Sequence, residues 1–198
     1  MNKLYSCILF VVMTIFLTCL PCEAKTLKGE VKLNWPLLSQ EERAQTINYY
    51  RDLLFHNVER EINMEQFKDH MKDPSVRINR AALKKDLRNL GNRQLAGFYL
   101  FGKLLVIYGV KYMDDKYHIY YYDALGNLQY VDILSGPHNE FPHVAYQYND
   151  DGKLKGISYY ISEYDQYVFE ENGDFKGRWY FEKMYDKKAK VVMTRKLP

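Results

Sequence analysis

The sequence predicts an α+β protein. A helical segment of two to three helices, residues 25–95, is followed by an antiparallel β-meander of seven to nine strands, residues 96–198, curved strongly or partly closed and compact with the helices. Three observations predict this. Apolar residues between 37 and 90 recur at steps of three and four. From about Gly97 the chain changes to runs rich in Tyr, Val, Ile and Phe, with turn residues every 8 to 12 positions. Three stretches of this second half repeat one hairpin pattern without gaps. Composition agrees with an ordinary globular protein: 47% hydrophobic and 27% charged residues, with a formal net charge of +3 that points to no nucleic-acid partner. The aromatic share is high, 16%, with 19 Tyr, 10 Phe and 2 Trp.

Residues 1–24 carry the pattern of a secretory signal peptide. Lys3 gives a positive start, Ile8–Leu20 is apolar apart from Thr14 and Thr18, and Pro21 breaks the run. Cys22-Glu23-Ala24 puts small residues at the two positions a signal peptidase reads, so cleavage is expected after Ala24. A retained anchor needs roughly 20 apolar residues, and Ile8–Leu20 is shorter. Neither Cys19 nor Cys22 has the aliphatic and small neighbours of a lipoprotein signal. With Cys7 they are the only cysteines, so the expected mature chain, Lys25–Pro198, has none and depends on its core alone. This usage fits a bacterial periplasmic or secreted protein. No transmembrane segment is expected after cleavage: Leu95–Val110 is the richest later apolar stretch and is broken by Gly97, Gly102, Lys103 and Gly109.

The first helix starts with a capping box, Ser39-Gln40-Glu41-Glu42, with Leu37 placed for a hydrophobic staple. Ile47, Tyr50, Leu54, Val58 and Ile62 then form one stripe. A second helix is expected from Asn63, boxed by Gln66, to about Met71. Asp73-Pro74-Ser75 marks a break. A third helix carries Ala82, Leu83, Leu87 and Leu90 and is capped by Gly91. Strands are expected near 98–101, 104–112, 117–122, 128–134, 143–149, 154–161, 165–170, 175–184 and 189–195.

The repeats are Tyr120–Leu128, Tyr146–Leu154 and Tyr167–Phe175: aromatic-x-aromatic, a polar turn, a glycine and a polar residue, then a large apolar one. Each reads as a hairpin in which Gly126, Gly152 or Gly173 takes a positive φ. Simple alternation pairs Tyr122 with Leu128 and Tyr120 with Tyr130. The same register lays Tyr146 over Gly156 and Tyr167 over Gly177. It puts Tyr120, Tyr122, Tyr146, Tyr148, Tyr167 and Phe169 on one buried face, with Tyr121 and Tyr159 on the other. The pattern resembles the bacterial YD-repeat (Rhs-type) family, whose units read Tyr-x-Tyr-Asp-x-x-Gly-x-Leu. Tyr122-Asp123 and Gly126-Asn127-Leu128 match it, whereas the later units have Tyr148-Asn149 and Phe169-Glu170. The resemblance, over residues 117–181, implies hairpin architecture and an exported setting, with no activity.

Catalytic motifs are lacking. Gly156-Ile157-Ser158 is not continued as a nucleophile elbow, because Tyr160 occupies the last position. Gly91, Gly97 and Gly102 match no phosphate-binding spacing, so no cofactor is expected. His138, Glu140 and His143, with Asp132 upstream, form the densest set of potential ligands. Pro142 and strand chemistry keep them off a common helical face, and no metal site is assigned. The favoured reading is a non-catalytic binding or interaction protein of the bacterial envelope or extracellular space. The alternative is a hydrolase of an envelope polymer using Asp132, Glu140 and His143. Binding candidates are Tyr121, Tyr159, Tyr160, Trp179 and Tyr180, whose rings suit a glycan or an envelope protein. Lys84, Lys85 and Arg88, on the basic side of the third helix, suit an anionic membrane surface.

Overall fold

The computed structural model describes residues 32–74, 93–100, 103–112, 115–123 and 125–195, with backbone alone at 32–34, 93–100 and 103–112. Two units divide the chain, Met1–Leu38 and Ser39–Pro198. The first contains a 3-10 helix at Lys32–Leu37, followed by Leu38, whose amide donates to the Trp35 carbonyl at 3.3 Å. Leu37, expected as the staple, is exposed, and the residue next to the N-cap is Leu38.

The second unit opens with helix α1, Gln40–Leu54. Its capping box forms as expected: Ser39 N donates to Glu42 Oε2 at 2.7 Å, and Glu42 N to Ser39 Oγ at 3.1 Å. The stripe survives only in part. The helix ends at Phe55, whose amide donates to Arg51 O, and Asn57 then takes a φ of 60°. Val58 and Ile62 therefore lie beyond it. A 3-10 helix follows at Met64–His70, and its N-cap Asn63 accepts from Glu65 N in place of the expected box with Gln66. The third expected helix, with Lys84, Lys85 and Arg88, lies outside the described residues.

Ten strands follow: β1 Arg93–Leu100, β2 Lys103–Tyr112, β3 His118–Tyr122, β4 Leu128–Leu134, β5 His143–Asn149, β6 Leu154–Ser162, β7 Asp165–Glu170, β8 Phe175–Tyr180, β9 Lys183–Tyr185 and β10 Val191–Arg195. Each pairs antiparallel with the next, and β1 also meets β10 through Phe98↔Arg195 and Tyr99↔Thr194. The expected strand 175–184 is two, split at Phe181, whose φ is 51°. No described helix is long and apolar enough to cross a membrane.

All three repeat turns have the expected glycine conformation, with φ of 84°, 82° and 89° at Gly126, Gly152 and Gly173. Each glycine amide donates to the carbonyl three residues back, Asp123, Asn149 or Glu170. The register beyond the turns differs from simple alternation. Tyr122 faces Leu128, but Tyr121 faces Tyr130; Tyr148 faces Leu154, but Gln147 faces Gly156; Phe169 faces Phe175, but Val168 faces Gly177. One extra residue in each second strand, Gln129, Lys155 or Lys176, forms a β-bulge and swaps the faces of everything after it. No tyrosine ring therefore lies opposite Gly156 or Gly177, and Tyr159 joins the repeat face.

That face is the main core. Tyr120, Tyr122, Tyr148, Tyr167 and Phe169 are buried there and Tyr146 is half-buried. Tyr50 of α1 stacks on Tyr159 at 4.9 Å and packs tilted against Tyr167 at 4.7 Å, while Phe67 meets Tyr120 edge-on at 6.0 Å. Within this core Arg178 makes a bidentate pair with Asp165, both contacts 2.8 Å. Residues 59–73 run across the hairpin turns as a strap. Leu154 N donates to Arg60 O, Ile62 N to Gly152 O, Leu128 N to Met71 O and Asp73 N to Gly126 O, all between 2.7 and 2.9 Å. The Arg60 guanidinium reaches the Glu171 carbonyl at the third turn.

Candidate functional site

The other face of the sheet, away from α1, carries the candidate site. The bulges bring Tyr121 of β3, Asp132 of β4, Gln147 of β5, Ser158 and Tyr160 of β6, Gln166 and Val168 of β7 and Trp179 of β8 to one cavity of about 140 Å³. Register explains the grouping. Asp132 faces Gln147, Tyr160 faces Gln166, and Gln166 faces Trp179. Gly156, opposite Gln147, lines the cavity with backbone alone. The volume is roughly ten times the ~10–15 Å³ that one water requires.

Asp132 is buried with both oxygens engaged: Tyr121 Oη donates to Oδ2 at 2.8 Å and Gln147 Nε2 to Oδ1 at 2.9 Å. Burial still pushes its carboxyl up to about 6, against the pull of those two donors. Gln166 is 6% exposed, and its Oε1 accepts no hydrogen bond. Beside the cavity the Arg195 guanidinium lies 4.7 Å from the Trp179 ring centre, and its Nε donates to Phe181 O at 3.0 Å. Burial lowers the Arg195 pKa, an effect that the nearby Tyr160 and Tyr121 phenols and the Glu182 carboxylate oppose. At one wall a small apolar cluster, Ile119, Leu134 and Ala145, packs against Tyr121 and Tyr160.

His143 is buried between two rings, 5.1 Å from Phe141 and 4.9 Å from Tyr160, and its Nδ1–H donates to Glu140 O at 2.7 Å. Burial holds the imidazole below its ordinary pKa, so it is neutral near pH 7. It touches a cavity residue without lining the cavity. Glu140 is exposed and outside the lining. The carboxylates that do line the cavity are Asp132 and Glu170, and Glu170 is held by Lys176 at 3.1 Å.

Of the expected binding residues, Tyr121, Tyr160 and Trp179 therefore converge with Asp132. Tyr159 and Tyr180 do not. Tyr159 packs under α1, and Tyr180 stands on the repeat face beside Arg178, whose guanidinium lies 5.8 Å from its ring. The sequence reading missed Gln147, Gln166 and Arg195. A signal existed for the first: the central residue of each aromatic-x-aromatic motif, Tyr121, Gln147 or Val168, lines the cavity. Among the described residues no group of three or more His, Cys, Asp or Glu is placed to hold a metal ion. With fold and site in view, the protein is an α+β protein with an antiparallel sheet. No protein-family model, curated protein or solved structure matches the chain.

Proposed function

We propose that this is an exported bacterial binding protein of the envelope or extracellular space, and that it holds a small polar ligand in the cavity on the far face of the sheet without transforming it. The observation that carries the reading is the state of Asp132. Its oxygens already accept from Tyr121 and Gln147, so the carboxylate acts as an organiser of donors. Rings at Tyr121, Tyr160 and Trp179 with amides at Gln147 and Gln166 form a recognition set in a lining that is mainly polar. The signal-like residues 1–24 support export. So does the resemblance of the hairpin units to YD repeats, and an envelope glycan or envelope protein is the partner class in keeping with both.

The raised pKa of Asp132 favours one other reading, an envelope-polymer hydrolase in which it serves as the acid. Thermal unfolding of the exported chain with a panel of monosaccharides, amino acids and nucleosides tests the choice. Binding predicts that one class raises Tm, that Asp132→Ala removes the rise, and that joint replacement of Glu140 and His143 by Ala leaves it. Turnover of an envelope polymer that this double variant abolishes would instead establish the hydrolase. The export reading predicts a secreted product beginning at Lys25.

A further inference from the structure

We propose that the ligand of this cavity is a sugar acid, a hydroxyl-rich ring bearing a carboxylate, with Gln166 accepting from a ring hydroxyl and Arg195 pairing with the carboxylate; this rests on the binding reading above. Two separate observations converge on it. Gln166 is 94% buried in the cavity wall, and its Oε1 has no donor. A buried acceptor left unmade is unfavourable, and it selects a ligand that brings an O–H or N–H group. The second observation is the cation. Arg195 spends Nε on a backbone carbonyl and stacks on Trp179, and among the described residues no carboxylate forms an ion pair with it. Glu182 acts on it from beyond ion-pair distance, and Lys155 and Lys176 balance Asp132 and Glu170 in the lining itself, so the partly buried Arg195 beside the cavity is the cation left to favour a negative group on the ligand. The lining adds the third requirement. Tyr160 places a ring in the lining for the C–H face of a pyranose, and Asp132 with Tyr121 and Gln147 presents further polar groups to its hydroxyls.

The chemistry predicts an order among three related probes. Titration calorimetry of the full mature chain with D-glucuronate, D-glucose and D-glucosamine should give glucuronate the tightest binding, about tenfold or more over glucose. Glucosamine, whose ammonium meets Arg195, should bind most weakly. Arg195→Met should erase the preference for glucuronate over glucose, while Arg195→Lys, which keeps the charge, should retain part of it. Gln166→Met should weaken glucuronate and glucose by the same factor. Circular dichroism of each variant establishes that it is folded. Glucose equal to glucuronate, glucosamine tightest, or an Arg195→Met variant with the preference intact overturns the proposal. Stabilisation by a different member of the panel ends the sugar-acid inference and leaves the binding reading standing. No stabilisation by any member ends both.

Discussion

Burial raises the Asp132 carboxyl to about 6 although Tyr121 and Gln147 both donate to it, so desolvation outweighs two hydrogen bonds. Its ordinary value is 3.8. Between about pH 4 and pH 6 the native chain then holds a proton that the unfolded chain has released. In that window stability falls as pH rises, and the loss is complete above the folded pKa. The size is on the order of 3 kcal/mol. Asp132→Asn removes the titration, so the wild-type stability minus that of the variant should fall by this amount from pH 4 to pH 7 in urea unfolding. A flat difference would show that the carboxyl is not desolvated. Gly152 makes the second residue-scale case. A Cβ built there would lie 2.3 Å from the Ile62 carbonyl, and its φ is 82°. Gly152→Ala should cost about 1–3 kcal/mol, and a loss under about 0.5 kcal/mol would contradict the strap contact. The turn glycine was legible from its place after Asn149-Asp150-Asp151. The strap contact was not, because nothing in a local pattern marks which carbonyl will arrive from a segment so distant in the chain.

At the scale of elements, the three hairpins were legible as hairpins and illegible in register. Aromatic-x-aromatic, polar turn and glycine fix where the chain reverses, and β4, β5 and β7 begin and end where alternation placed them. The bulges at Gln129, Lys155 and Lys176 follow from turn geometry, which the alternation rule ignores. Tyr159 went to the wrong face for this reason. The same slip hid that Tyr121 and Asp132 stand side by side. Helix α1 shows the opposite balance, with its start set by Ser39 and Glu42 and its packing residue Tyr50 read correctly from the stripe. Tyr50→Ala removes a ring packed between Tyr159 and Tyr167 and should cost about 3–5 kcal/mol. Tyr49→Ala, on the exposed side, should cost about 0.5 kcal/mol or less. Equal costs in urea unfolding would mean that α1 does not dock through that stripe. The Asp165–Arg178 pair makes a parallel case between β7 and β8. Asp165→Asn should cost about 3–5 kcal/mol by leaving Arg178 buried without its carboxylate. The double variant Asp165→Leu with Arg178→Met, which removes both charges, should recover much of that loss in the same urea measurement.

For the molecule as a whole, the two faces of one sheet do different work. The repeat aromatics bind α1 and the strap, and the intervening residues of the same strands line the cavity. An alternating sequence can specify both only because side chains on a strand point to opposite sides. Strands covered on both faces should therefore be the most cooperative part of the fold. Val131, Tyr148, Ile157 and Tyr167, on four successive strands β4–β7, are all buried, whereas β10 exposes Val191 and Val192 and joins only the short β9 and two positions of β1. Native-state hydrogen exchange should then show the amides of β4–β7 opening only with global unfolding. Those of Val192 and Thr194 should exchange by local fraying, about a hundredfold faster or more. Because α1 docks on β6 and β7 through Tyr50, Tyr50→Ala should speed exchange across β4–β7 together and narrow the ratio between those strands and β10. Uniform exchange across all strands would mean that the sheet is held by its pairing alone, with no contribution from the helical cover. The division of the strands into a helix-covered side and a cavity side would then lose its energetic basis.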